Sequence, residues 1–151
     1  MRFYIAYGSN LSVEQMAARC PGAEIVGKAM LKDWKLAFGQ HATIEPCPGG
    51  EVPVLIWSIT DRDEKVLDRY EGYPKYYYKE DLLVHMTDLD GKNPAAVMAM
   101  VYIMTEIQKN GYPSSTYYYT IREGYTRFGF DLDILKTALY ECMGEVYGEE
   151  E

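Results

Sequence analysis

The sequence predicts one α+β domain over residues 1–151, with a curled, partly barrel-like sheet. Two turn signals, Pro48-Gly49-Gly50 and Asp88-Leu89-Asp90-Gly91, separate segments that are rich in strand-forming residues. Strands and helices do not alternate strictly along the chain, as they would in a parallel α/β fold. The pattern as a whole indicates roughly six or seven strands and four helices.

The first elements are expected to be a strand, a turn and a short helix. Arg2–Ala6 has the pattern of a buried strand, and Gly8–Asn10 forms the turn after it. Ser12, followed three positions later by Gln15, has the pattern of a capping box, which predicts a helix over Val13–Arg19.

The next part of the chain is rich in β-forming residues. Strands are expected around Ile25-Val26, over Trp34–Phe38 and over Ala42–Ile44. Val52–Ile59 is the clearest strand pattern in the chain. Pro53 lies inside this pattern, and because proline has no amide donor it predicts an edge position or a bulge.

A helix follows the Val52–Ile59 strand. Asp61 is expected to be its N-cap, with Glu64 at the capping-box position. The helix is expected to stop at Glu71-Gly72, because glycine readily adopts the left-handed conformation of a C-cap. The residues of its apolar stripe are Val66, Leu67 and Tyr70.

The following segments, Tyr76–Met86 and Ala95–Met104, are expected to form a long hairpin around the Asp88–Gly91 turn. Both segments are rich in apolar and β-forming residues, which is typical of strands. The turn contains aspartate and glycine, which suit the tight bend of a hairpin.

Two helices complete the predicted fold. The first is expected to begin at a Ser114 or Ser115 cap, to run to about Glu123 and to be closed by Gly124. The second is expected to run from Asp131 to about Cys142. The last three residues, Glu149 to Glu151, are expected to form a frayed acidic tail.

The charge of the chain argues against two classes of partner. Lysine and arginine number 15 against 23 acidic residues, which gives a net charge of −8 without a basic cluster. Nucleic acids and anionic membrane surfaces bind to basic faces, so neither is an expected partner. No apolar run reaches the roughly 18 residues of a membrane span, and no secretory signal is expected at the N-terminus.

Cysteine and histidine usage indicates a reduced, metal-free protein. The chain has three cysteines, Cys20, Cys47 and Cys142, so any disulfide scheme would leave one unpaired. They lie far apart and do not have the spacing of metal ligands. His41 and His85 lie in separate strand-like segments without paired acidic residues, so packed or solvated roles are expected. The cytoplasm is therefore the expected compartment.

Tyrosine is unusually frequent, with 15 residues that cluster at Tyr76–Tyr78 and Tyr117–Tyr119. Its ring packs against apolar neighbours while its hydroxyl remains polar. Both ordinary packing and positions on strands beside a wet cavity agree with this pattern.

The segment Tyr7-Gly8-Ser9-Asn10-Leu11 is the first candidate for a site. Glycine lets the backbone turn sharply and approach a ligand closely. Amides in such a loop, and in the first turn of the helix that follows, lack helical partners and favour carboxylates, phosphates or a developing oxyanion. A plain connection between a strand and a helix would have the same four-residue pattern.

Glu71 is the second candidate, because it is expected at the end of a helix. The exposed carbonyl groups there disfavour a carboxylate, so its pKa should rise towards the range of a general base. An ordinary solvated glutamate in a last helical turn is the alternative.

Three motifs in sequence resemble a known family. They are Tyr7–Leu11, Leu67–Gly72, and Pro113-Ser114 with Tyr117 and Gly124. With these motifs in this order and spacing, the chain resembles the γ-glutamylcyclotransferase family, also called the AIG2-like superfamily. The resemblance implies a small mixed β-barrel flanked by helices, with a cavity at the first motif. It also implies cyclisation of a small γ-glutamyl compound to 5-oxoproline, with release of an amine or amino acid.

The resemblance also implies roles for particular residues. Glu71 would be the general acid and base, and the amides of Gly8 to Leu11 would stabilise charge on the carbonyl oxygen. Tyr78, or its neighbour Tyr77, and Tyr117 would line the cavity and contact the substrate. The implied reaction needs no metal, nucleotide cofactor or covalent nucleophile.

One departure from the family pattern concerns the strand around Pro53. Family members usually carry glycine inside this strand, where the present chain has Pro53 and Val54. The departure leaves open a related acyl transfer on a larger γ-glutamyl amine. A second alternative is a non-catalytic module that captures a carboxylate or an acidic peptide on the same fold.

Overall fold

The computed structural model describes residues 1–106 and 110–148, which contain five strands and four α-helices. The strands are β1 (Arg2–Ala6), β2 (Glu24–Phe38), β3 (Ala42–Ile59), β4 (Tyr77–Thr87) and β5 (Ala95–Met104). The helices are α1 (Val13–Arg19), α2 (Asp61–Glu71), α3 (Ser115–Phe128) and α4 (Leu132–Gly148). A short 3-10 turn, Ser9–Leu11, connects β1 to α1.

The strands form a closed barrel in the order β1-β3-β2-β4-β5. Four of the five strand pairs are antiparallel, and the barrel closes where β1 runs parallel to β5 at Tyr4 and Met100. Helix α3 packs against the 3-10 turn, and α4 packs against β2. The predicted α+β class and mixed barrel flanked by helices are therefore confirmed.

The expected number of strands is wrong, because the predicted short strands merge into two long ones. Strand β3 continues through Pro48–Gly50, where a turn was expected. Its register with β2 passes from Lys32–Glu51 to Trp34–Pro46, so residues 47–50 bulge opposite Asp33. The Gly49 amide donates to Asp33 Oδ1 at 3.0 Å. A proline and two glycines thus bend a continuous strand instead of ending it.

Pro53 occupies a part of β3 that has a strand on one side only. It pairs with Met30 of β2, whereas the pairing of β1 with β3 ends at Ala6 and Leu55. A residue without an amide donor is compatible with such a position, as expected from the sequence.

The caps of α1 and α2 are set by hydroxyl groups. Ser12 Oγ accepts from the Gln15 amide at 3.2 Å, which confirms the predicted start of α1. The prediction for α2 is wrong by one residue, because Thr60 and Asp63 form its capping box. Asp63 is buried, and its carboxylate accepts from the amides of Thr60 at 3.1 Å and of Gly22 at 3.4 Å.

Two helix boundaries in the C-terminal half differ from the prediction. Ser114 is the N-cap of α3, as one of the two expected alternatives. The helix continues past Gly124 and ends at Gly129, whose φ of 71° gives the left-handed cap. Helix α4 begins after Asp131, as expected, but extends beyond Cys142 to Gly148. The predicted acidic tail lies outside the described residues.

Gly124 lies inside α3 and does not end the helix. A glycine is required there because Leu11 packs closely against the helix. A Cβ atom at this position would lie 2.6 Å from Leu11 Cβ. Leu11 is fully buried and belongs to the 3-10 turn that follows β1. The absence of a side chain at Gly124 therefore lets α3 support the turn from behind.

Replacing Gly124 by alanine is expected to destabilise the protein by about 1–3 kcal/mol, the usual cost of overpacking a core. The free energy of unfolding from urea titration measures this effect. Gly144→Ala is the matched control, since a Cβ there would meet nothing within 4 Å in the described structure outside its own stretch of α4. The control should gain about 0.5–1 kcal/mol from helix propensity. A Gly124→Ala variant as stable as the control would contradict the packing argument.

Over the described residues, none of the helices is both long and apolar enough to cross a membrane.

Candidate active site

A cavity of about 300 Å³ lies where β1 and α2 end and where β3 and β4 begin. This volume is at the lower end of the range typical of small-molecule sites. Glu71 is the only carboxylate among the described residues that line it. The lining tyrosines are Tyr4, Tyr7, Tyr70, Tyr76, Tyr77, Tyr102 and Tyr117.

The loop after β1 contributes Gly8, Ser9 and Asn10 to the cavity wall. A Cβ on Gly8 would lie 3.3 Å from Ala42 Cβ and 3.5 Å from the Tyr117 hydroxyl, so glycine allows the loop to pass close to them. Within the 3-10 turn, the first amide to donate is that of Leu11, to the Gly8 carbonyl at 3.0 Å. The amides of Ser9 and Asn10 precede this bond and have no partner inside the turn.

Leu11 does not line the cavity, although the sequence grouped it with the site residues. Its side chain is fully buried against Gly124, and its amide is used inside the turn. The structure therefore places Leu11 in the core that supports the loop.

Hydrogen bonds on both sides hold the loop in place. The Asn10 side-chain amide donates to the Tyr4 hydroxyl at 2.9 Å, and the Trp57 indole donates to the Asn10 carbonyl at 3.1 Å. Ser9 Oγ and the Tyr70 hydroxyl are 3.0 Å apart and share a hydrogen bond. Because the Asn10 side chain is engaged in this way, it fixes the position of the loop at the cavity wall.

Glu71 is the last residue of α2, and Gly72 ends the helix in the left-handed conformation with φ of 67°. Burial raises the pKa of Glu71 to about 7, while the Arg19 guanidinium acts in the opposite direction. The predicted direction is confirmed, but burial in the cavity wall is the main cause. No ion pair or hydrogen bond to its carboxyl group is formed by the other described residues.

Two tyrosines are held by the same backbone position. The Tyr77 hydroxyl donates to the Ala42 carbonyl at 2.8 Å, and the Tyr117 hydroxyl accepts from the Ala42 amide at 2.9 Å. Tyr78 is 40% exposed and does not line the cavity, since adjacent residues of a strand face opposite sides. The structure thus places Tyr77 and Tyr117 at the site and Tyr78 outside it. Tyr7 also lines the cavity and donates to the Tyr102 carbonyl at 2.7 Å.

Several lining residues were not predicted from the sequence. His41, expected to be packed or solvated, lies at the cavity beside Tyr117, with ring centroids 5.1 Å apart. Partial burial lowers the pKa of His41, because it disfavours the charged imidazolium form. Arg69 reaches the cavity from the last turn of α2. No local pattern marks His41, which lies between β2 and β3. Arg69 lies within the Leu67–Gly72 motif, and its position two residues before Glu71 is the signal that could have indicated it.

A network of charges holds the last turns of α2 against the barrel. Asp68 accepts from the Tyr102 hydroxyl of β5 at 2.6 Å and pairs with Lys79 of β4 at 2.9 Å. Lys79 also pairs with Glu64, one turn earlier on α2, at 2.8 Å. Since Asp68 precedes Glu71 by about one turn, these bonds fix the direction in which Glu71 leaves the helix.

The described residues contain no group of three or more histidine, cysteine, aspartate or glutamate side chains that could hold a metal ion. Neither Pro53 nor Val54 lines the cavity, so the unusual strand sequence does not form its wall.

Comparison with known proteins shows the family of the chain. Residues 4–125 match a family model described as "Gamma-glutamyl cyclotransferase, AIG2-like". The chain belongs to the γ-glutamylcyclotransferase family. It is an enzyme of this family.

Three γ-glutamylcyclotransferases are similar to this chain over most of its length. The human γ-glutamylcyclotransferase is 31% identical over 142 residues, which cover 86% of this chain and 73% of the human protein. The bovine γ-glutamylcyclotransferase is 31% identical over 145 residues, which cover 88% of this chain and 74% of the bovine protein. A solved structure described as a "Gamma-glutamyl cyclotransferase" is 28% identical, with a TM-score of 0.73, and covers 91% of this chain and 85% of that one.

Proposed function

We propose that the enzyme cyclises a γ-glutamyl amino acid or γ-glutamyl amine to 5-oxoproline, with Glu71 as general base and then general acid. The observation that carries this proposal is the shared cavity. Glu71 is the only carboxylate on the described part of its wall, and the loop from Gly8 to Asn10 lines the same space. The proposal is supported because a carboxylate and a loop with unpaired amides border the same cavity.

The first step requires a proton acceptor of suitable strength. The α-amine of a γ-glutamyl substrate is an ammonium group at neutral pH, because the α-carboxylate beside it favours the charged form. A carboxylate with a pKa of about 7 is a stronger proton acceptor than an ordinary glutamate, and its pKa lies near the pH at which it would act, which is favourable for acid–base catalysis. The neutral amine can then attack.

The next steps form the ring and release the leaving group. The α-nitrogen attacks the γ-carbonyl carbon, and the carbonyl electrons move to its oxygen. The attacking nitrogen now carries a positive charge and two protons. Glu71 gives its proton to the leaving nitrogen and then takes one proton from the attacking nitrogen, and as the carbonyl re-forms the bond to the leaving nitrogen breaks. The products are 5-oxoproline and a free amine, and Glu71 passes its remaining proton to that amine, which regenerates the carboxylate.

The loop amides are proposed to stabilise the negative oxygen of the tetrahedral intermediate. The amides of Ser9 and Asn10 have no partner inside the 3-10 turn. An amide aimed at a developing oxyanion contributes about 3–4 kcal/mol to barrier lowering. Because the nucleophile belongs to the substrate itself, holding the ring-closing conformer supplies a further part of the acceleration.

Tyr77 and Tyr117 are proposed to shape the substrate volume. Burial raises the pKa of both phenols, so they stay protonated beside the Glu71 carboxylate. Their common attachment to the Ala42 backbone fixes both hydroxyl positions. Neutral, oriented hydroxyl groups can contact the substrate without competing with Glu71 for its proton.

The proposal is tested by product analysis. The purified protein is incubated with a panel of γ-glutamyl dipeptides and γ-glutamyl amines, and 5-oxoproline is followed by mass spectrometry. One equivalent of free amino acid or amine should appear for each 5-oxoproline. The matched α-glutamyl dipeptides are controls, because the same attack cannot form the five-membered ring. Binding of panel members without release of 5-oxoproline would refute the proposed reaction.

A further inference from the structure

We propose that Arg19 is a positioning residue that joins the loop of the site to the end of α2 and keeps Glu71 available as a base. The inference rests on the proposed function of Glu71. Arg19 is the last residue of α1 and is not among the residues that line the cavity. It acts through its neighbours and not on the substrate.

The contacts of Arg19 connect both halves of the site. On the loop side, its guanidinium donates to Asn10 Oδ1 and, at 3.3 Å, to Gln15 Oε1. On the α2 side, its flat face covers the Tyr70 ring, with Cζ 3.7 Å from the ring centroid. Tyr70 precedes Glu71 in the chain and shares a hydrogen bond with Ser9. Arg19 therefore stands between the segment that carries the amides and the segment that carries the carboxylate.

This arrangement requires an arginine, not only a positive charge. A planar guanidinium can donate along its edge to two acceptors while its face stacks on an aromatic ring. A lysine ammonium would keep the charge, but it cannot stack on Tyr70 and hold the same two acceptors in a fixed geometry.

The charge of Arg19 also acts on Glu71. Among the described residues, Arg19 is the charged group whose field lowers the pKa of Glu71, against burial, which raises it. His41 and Arg69 line the same cavity. The other titratable groups that face Glu71 are phenols with raised pKa values, contributed by Tyr4, Tyr7, Tyr77 and Tyr117.

The test compares Arg19→Met, Arg19→Lys and the control Arg127→Met in the full chain. Arg127 pairs with Glu14 on the exposed side of α1, so its loss changes the net charge equally but leaves the site intact. The titration of Glu71 is followed by carbon NMR of the glutamate carboxyl groups, with Glu71→Gln used to assign its signal. The pH profile of kcat/KM for 5-oxoproline formation is measured in parallel.

Arg19→Met is expected to move the midpoint of the Glu71 titration to higher pH, since an opposing positive charge is lost. Its kcat/KM should fall several-fold more at pH 6 than at pH 9. Arg19→Lys should keep the midpoint near that of the wild type but lower kcat, because the stacking and one donor are lost. Arg127→Met should change neither quantity.

An unchanged Glu71 midpoint in Arg19→Met, with activity lost equally at every pH, would overturn the inference. If Arg19→Met does not fold, Arg19→Lys still decides the test. A shift of the Glu71 midpoint in Arg19→Lys that accounts for the whole loss of its activity would contradict the inferred positioning role. If the midpoint moves but Glu71→Gln still forms 5-oxoproline, the link between Arg19 and residue 71 stands and the proposed role of Glu71 as the base fails. The two proposals therefore fail through different results.

Discussion

Replacing Glu71 by glutamine is expected to lower kcat/KM for 5-oxoproline formation by about 10²–10⁴-fold, the usual contribution of a positioned acid–base group. Glutamine has nearly the same shape, but its amide cannot accept the proton of the substrate ammonium group. No second carboxylate lines the described part of the cavity to replace it. The rate of 5-oxoproline release by purified variant and wild type measures the effect.

Glu123→Gln is the matched control for this substitution. Glu123 is exposed on α3 and does not line the cavity, so the same change of charge there should leave turnover unaffected. Circular dichroism of both variants shows whether the fold is kept. A folded Glu71→Gln variant with wild-type turnover would show that another group takes the proton.

The same variant is expected to be more stable than the wild type at pH 8 by up to about 3 kcal/mol. The pKa of Glu71 rises from its ordinary value of 4.5 to about 7 on folding, and each pH unit is worth about 1.4 kcal/mol. Because the folded state holds the proton more tightly, wild-type stability falls as pH rises from 4.5 to about 7. Above this window the full cost of the buried charge remains, and glutamine removes it.

Urea denaturation of both proteins at pH 4.5 and pH 8 measures this difference. The stability advantage of Glu71→Gln should be small at the lower pH, where the carboxyl group is protonated in the folded state and about half protonated in the unfolded state. Glu123→Gln should show no comparable change between the two pH values. An advantage for Glu71→Gln that is equal at both pH values would mean that packing, not the buried charge, is responsible.

The end of α2 could be predicted from sequence because its determinants are local. Gly72 supplies the left-handed cap that ends the helix, and this places Glu71 in the last turn. The hairpin of β4 and β5 was predicted for the same reason, since Ala95–Met104 has the expected bounds and the turn contains Asp88 and Gly91.

The composition of the cavity wall could not be predicted in the same way. In the run Tyr76–Tyr78, alternation along β4 sends Tyr77 inward and Tyr78 outward, but three tyrosines in succession give no sign of this phase. His41 reaches the site because β2 and β3 turn there. Such placements depend on the pairing of strands that are distant in sequence, and a local sequence pattern does not carry this information.

Gly124 shows how a local rule can mislead. Glycine commonly ends a helix, so the sequence predicted a boundary there. In the structure Gly124 lies within α3 because Leu11, 113 positions earlier in the chain, leaves no room for a side chain. Gly124, the glycine of the third motif, therefore packs against Leu11 and supports the loop formed by the first motif.

A crystal structure with bound 5-oxoproline tests the central claim most directly, because the product retains both reacting atoms. The ring nitrogen, which was the attacking amine, should lie within hydrogen-bond distance of the Glu71 carboxyl group. The ring carbonyl oxygen should face the amides of Gly8 to Asn10. Product bound in this cavity with its ring amide turned away from both groups would contradict the proposed reaction.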